Sequence, residues 1–145
     1  MVELFLFLFG VLLVGLASLE DIRFMRVSPE LPFSLFVVEG VWAVFLGEGY
    51  RILPYVFILA VPMYGLWWVG KLGGGDVKLG VALAAVLAAS RVELTFFMPF
   101  LLVCLLVWGA YWGLALRLRD GVWPDMVPAA PAMCLALMWA GLKLF

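Results

Sequence analysis

A chain with no histidine has few ways to do chemistry. Imidazole bases, histidine-held metals and Ser-His-Asp triads are removed together, and ten acidic side chains remain. Two of these stand at the edges of long apolar runs. Asp21 follows the first run. Asp76 opens another, directly after three glycines in Lys71-Leu72-Gly73-Gly74-Gly75-Asp76-Val77-Lys78. Two carboxylates that share a site cannot easily both ionise, so one keeps its proton and the pair offers an acid and a base at one pH. Such a pair suits peptide hydrolysis by an activated water. The carboxylate takes a proton from water, and the acid protonates the carbonyl oxygen and then the leaving amine. Its titration belongs to the pair rather than to either residue. This chemistry calls for no cofactor and no metal.

For the two acids to meet, the apolar runs must bring them together. Of the 145 residues, 68% are hydrophobic and 13% charged, against about half and a quarter in soluble domains. The chain reads as an all-α integral membrane protein, one domain over residues 1–145, with the lipid bilayer as its surroundings. A net charge of −1 without a basic block argues against nucleic acid as a partner. Six spans are expected, at about 4–19, 33–46, 52–69, 77–89, 94–116 and 126–142. The first begins with Met1-Val2-Glu3, acidic rather than basic, and is expected to be a retained span rather than a secretory signal.

Loops between these spans alternate sides. One side carries Arg23, Arg26, Lys71, Lys78, Arg117 and Arg119, and the other Arg51, Arg91 and Lys143. Positive charge favours the cytoplasm, so both termini are expected outside, with Asp21 and Asp76 together on the cytoplasmic side of the plasma membrane. The fourth span, at about 13 residues, reaches only ~20 Å, short of the ~30 Å hydrocarbon core. That shortness suggests that Asp76 sits in a water-accessible dent.

The two motifs resemble those of a known family. Gly73-Gly74-Gly75-Asp76-Val77-Lys78 is similar to the Gly-x-Gly-Asp-x-Lys signature of the type IV prepilin peptidases, membrane aspartic peptidases that also process archaeal preflagellins. Asp21-Ile22-Arg23-Phe24-Met25-Arg26-Val27-Ser28-Pro29 resembles that family's first motif, with Ser28 inserted before Pro29. Val127-Pro128-Ala129-Ala130-Pro131 resembles its late Pro-x-x-Pro segment. The resemblance implies that Asp21 and Asp76 are the catalytic pair. It implies a pilin-like or flagellin-like precursor as substrate, cut at the start of its hydrophobic helix on the cytoplasmic face. The Cys-rich insert linked to N-methylation in many bacterial members is missing, so no methyltransferase activity is expected.

Other residues divide between site and scaffold. Gly73, Gly74 and Gly75 are expected to form a pliable turn whose bare backbone admits an extended substrate strand to strand. Lys78 either supports the pair or snorkels to the headgroups; two positions from Asp76, it points to another helix face. Arg23 and Arg26 serve the site or only the topology. Glu39, amid apolar neighbours in the second span, is either paired in the bundle or lines the substrate path. Glu20 is expected to be solvated, Asp120 is a rival acid, and Asp125 reads as a helix cap. Cys104 and Cys134 read as packing residues, and Trp67, Trp68 and Trp123 as interfacial mass. Two other readings stand beside the peptidase. In one, a non-enzymatic scaffold or channel of a pilus-type assembly system uses its acids structurally. In the other, a protease cuts within a span, which calls for a Tyr-Asp pattern; no Tyr precedes either acid.

Overall fold

A computed structural model of the chain describes residues 2–24, 26–121 and 126–144. Among these residues the secondary structure is helical: α1 (Val2–Phe24), α2 (Glu30–Phe45), α3 (Ile52–Trp68), α4 (Gly74–Ala89), α5 (Leu94–Asp120) and α6 (Ala130–Leu144), with a single 3-10 turn at Gly49–Arg51 leading into α3. Glycine and proline set several of the ends. Pro29 caps α2. At the end of α3, Gly70 turns to φ +75°. Its N–H reaches Trp67 C=O at 2.8 Å, and the Lys71 N–H reaches Leu66 C=O at 2.9 Å, the paired bonds of a Schellman stop. Gly121 ends α5 in the same left-handed conformation.

The hub is α4, which packs against α1, α2, α3 and α6, while α5 lies outside against α6. Every residue from Ala82 to Ser90 is buried. Alanine at 82, 84, 85, 88 and 89 explains how one helix serves several neighbours: small side chains let other backbones approach closely where no hydrophobic driving force exists between helices in lipid. The outer helices turn their bulk outward instead, as with Phe57 and Val61 on α3 and Leu106 and Leu118 on α5.

Three helices are long and apolar enough to cross a membrane: Leu4–Phe24, Gly49–Trp68 and Leu94–Asp120. The others, α2, α4 and α6, have 16, 16 and 15 residues. At ~1.5 Å per residue they reach roughly 22–24 Å, below the ~30 Å core. The expected layout of six helices is present, and half of them are short for independent spans.

Loops collect at two ends. At one end Glu48 takes Arg51 at 2.9 Å and Arg91 at 3.1 Å, tying the α2–α3 and α4–α5 connections together. At the other, Val27 lies on Gly75 and the Val127 N–H reaches Lys71 C=O at 3.3 Å. Two local readings change here. Helix α1 runs on to Phe24, since no glycine or proline interrupts Glu20-Asp21-Ile22-Arg23, so Asp21 sits inside the helix. The glycine stretch is not a free turn either. Gly73 caps α4 with extended backbone, and Gly74 and Gly75 already belong to that helix.

Candidate active site

Asp21 comes from the last turns of α1 and Asp76 from the first turn of α4. The two helices are in contact, and the two carboxyl groups are hydrogen-bonding neighbours. Both acids are almost wholly enclosed, at 3% and 2% exposure. The water-accessible dent expected around Asp76 is therefore closed, because the Val27 segment and the stretch before α6 cover it.

Backbone amides hold the pair. Asp76 reaches back over the first turn of its own helix, and the Gly73 N–H donates to its Oδ2 at 3.2 Å, half of a capping box. The Ala130 N–H, at the start of α6, donates to Asp21 Oδ2 at 3.2 Å. The Ala129 N–H, next along the chain, faces Asp76. Both acids thus face helix N-termini, where dipole and unpaired amides favour negative charge. Asp76 Oδ1 is buried without an N–H or O–H donor. A proton shared between the two carboxyls would satisfy it, which is the singly protonated state that acid–base work needs.

Gly75 owes its identity to its own chain. A Cβ there would stand 2.9 Å from Val27 Cβ and 3.0 and 3.1 Å from the Val27 backbone N and O. The bare face expected to admit substrate is taken by the α1–α2 connection. Gly74 is open, its nearest neighbour being Trp67 Nε1 at 3.5 Å from an ideal Cβ.

The remaining predicted residues lie apart from the pair. Lys78 is exposed on the other face of α4, where it borders a groove of about 530 Å³ with Pro29, Pro32, Phe33, Phe36 and Val81. Arg23 and Arg26 are exposed, and the Arg23 guanidinium sits 5.4 Å over the Phe24 ring. Glu39 is fully buried in α2 with neither carboxyl oxygen partnered, over the bare face of Gly10 on α1. Glu20 is not simply solvated: it is half-buried and accepts the Ser28 N–H at 2.9 Å, closing the α1–α2 loop. Asp120 pairs with Arg119 at 3.0 Å on the surface. Asp125 and Trp123 lie outside the described residues. Cys104 and Cys134 are free thiols, and no group of three or more metal-ligating side chains gathers among the described residues.

Sequence reasoning missed the amides of Ala129 and Ala130 as partners of the acids. The signal was Pro128-x-x-Pro131 itself: proline carries no N–H, so the donors of that stretch are confined to the two alanines. It also missed Trp108, whose indole N–H donates to Pro128 C=O at 2.8 Å.

Helices α1 and α4 thus enclose two neighbouring aspartates, each held by main-chain amides. Comparison with protein families supplies the class: residues 6–115 match the model of the type IV leader peptidase family, and the chain belongs to that family. The matched region contains both Asp21 and Asp76. No curated protein and no solved structure matches the chain.

Proposed function

We propose that this chain is a multi-pass aspartic endopeptidase of the plasma membrane. It removes the leader from type IV pilin-like or archaellin precursors at the cytoplasmic face, and it does not methylate the product. Asp21 and Asp76 share one proton. The ionised member takes a proton from a water held between them as that water's oxygen bonds to the scissile carbonyl carbon. The protonated member gives its proton to the carbonyl oxygen. The resulting gem-diol collapses: the second carboxylate takes a proton from one of its hydroxyls, the C–N bond breaks, and the first acid gives its proton to the leaving nitrogen. Each carboxyl is then back in its starting protonation state.

The observation that carries this reading is the meeting of two enclosed acids 55 positions apart, each held by amides at a helix start. Because both are covered, substrate and water must enter by displacing a neighbour. Among the described residues, the stretch before α6 meets the α3–α4 connection through the Val127–Lys71 backbone bond.

The test is cleavage of a co-expressed leader-bearing precursor. Asp21→Asn and Asp76→Asn are each expected to lower it by at least about a hundredfold, with membrane levels unchanged. If both variants still cut, the acids are structural and the scaffold reading takes over.

A further inference from the structure

The stretch from Val127 to Ala130 lies between two helices. On one side is α4 with Asp76; on the other is α5, whose Trp108 N–H holds Pro128 C=O at 2.8 Å. One residue further along α5, a Cβ on Gly109 would lie 4.0 Å from Val127 Cγ1, so α5 backs directly onto the covering stretch. Pro128 C=O and Ala129 N–H belong to one peptide unit. That unit is planar, and in its trans form the two groups point in opposite directions. Whatever fixes the oxygen toward α5 therefore aims the N–H toward α4, where Asp76 lies. Nothing in the Pro128 side chain could do this, since its ring contributes no donor.

We propose that Trp108 is a positioning residue for the acid pair, acting through the Pro128–Ala129 peptide. The inference rests on the peptidase reading for its effect on turnover, but not for the coupling itself. In the resting geometry the Ala129 N–H faces Asp76, and Asp76 Oδ1 has no donor. Hydrogen bonds of this kind tighten when substrate seats, and a peptide free to rock would lose that gain. Chains of hydrogen bonds also polarise one another, so a charge change at Asp76 should be felt at the Trp108 indole.

Trp112 supplies the control. It lies one turn along α5, its ring 6.1 Å from that of Trp108, and its buried Nε1 has no acceptor. Trp108→Phe and Trp112→Phe remove similar indole bulk, yet only the first removes a bond to the covering stretch. With a purified pilin-like precursor carrying a basic leader, Trp108→Phe is expected to lower kcat roughly tenfold with KM within about twofold, the pattern of an interaction made in the transition state. Trp112→Phe should leave both within about twofold. A wild-type kcat for Trp108→Phe, or an equal loss in Trp112→Phe, overturns the proposal.

A second measurement does not need the Trp108 variant to fold or the enzyme to cut. In 15N-labelled full-length protein, Asp76→Asn is expected to move the Trp108 indole resonance more than that of Trp112. Equal movement, or none, overturns the coupling. Persistent cleavage by Asp76→Asn would instead defeat the peptidase reading, an outcome distinct from either Trp108 result.

Discussion

Glu39 is the acid that the pair leaves over. It is 0% exposed, and both of its carboxyl oxygens lack partners. An unsatisfied buried polar group costs about 1–3 kcal/mol, so Glu39→Met should stabilise the protein by about that amount, read as a higher Tm in detergent. Precursor cleavage by the same variant then tests whether Glu39, unpaired in the bundle, serves the substrate path. Unchanged turnover leaves it a tolerated defect of packing, whereas a more stable but slower enzyme marks it as a residue kept for function at stability's expense. Lys78 belongs to the same scale. Its position two residues past Asp76 already placed it on another face of a helix, and the structure agrees. That face carries the groove beside Pro29 and Phe36 rather than the acids. Trp108 could not be picked out in this way. In a chain with seven tryptophans, nothing local separates an indole that holds a carbonyl from one that faces lipid.

At the scale of elements, the start of α4 decides whether Asp76 reaches Asp21. Gly75→Ala would press a methyl to within 3.1 Å or less of three Val27 atoms, two of them backbone. Backbone cannot step aside as a flexible side chain can, so the α1–α2 connection and α4 must separate. A loss of about 1–3 kcal/mol in stability is expected, together with reduced cleavage, since Asp76 is the next residue. Gly74→Ala is the contrast. Its Cβ would meet only ordinary contact, and alanine in a helix is favoured over glycine by about 0.8–1.0 kcal/mol, so thermal stability should hold or rise. The triple glycine was legible as a place where side chains are unwanted. Whether the bare face met a substrate or the protein's own backbone was not, because that depends on a loop 48 positions earlier in the chain. Likewise the polarity of Glu20-Asp21 was legible, but the helix continuing through it was not. A boundary of hydropathy is not a boundary of hydrogen bonding.

For the molecule as a whole, the apolar runs and their Gly and Pro punctuation made the number and order of helices readable. Which helices touch was not readable, since every one of them is apolar; contact follows from the alanine-rich faces of α4, whose several neighbours have no signature of their own. The short helices have a consequence for the bilayer. Where α2, α4 and α6 reach only roughly 22–24 Å, a thick membrane must thin around the bundle or strain it. In vesicles of lipids with 14- to 22-carbon chains, cleavage is expected to be fastest in the thinner bilayers and to fall in the thickest, measured at equal protein content; flat rates across the series would count against the hub as a mismatched core. Finally, the two prolines that bracket Ala129 and Ala130 turn the resting protein into its own stopwatch. These amides point at buried carboxyls instead of water, so each can swap its hydrogen for deuterium only while the acids are uncovered. Their exchange rates therefore report how much of the time the site stands open, in a sample that contains no substrate at all.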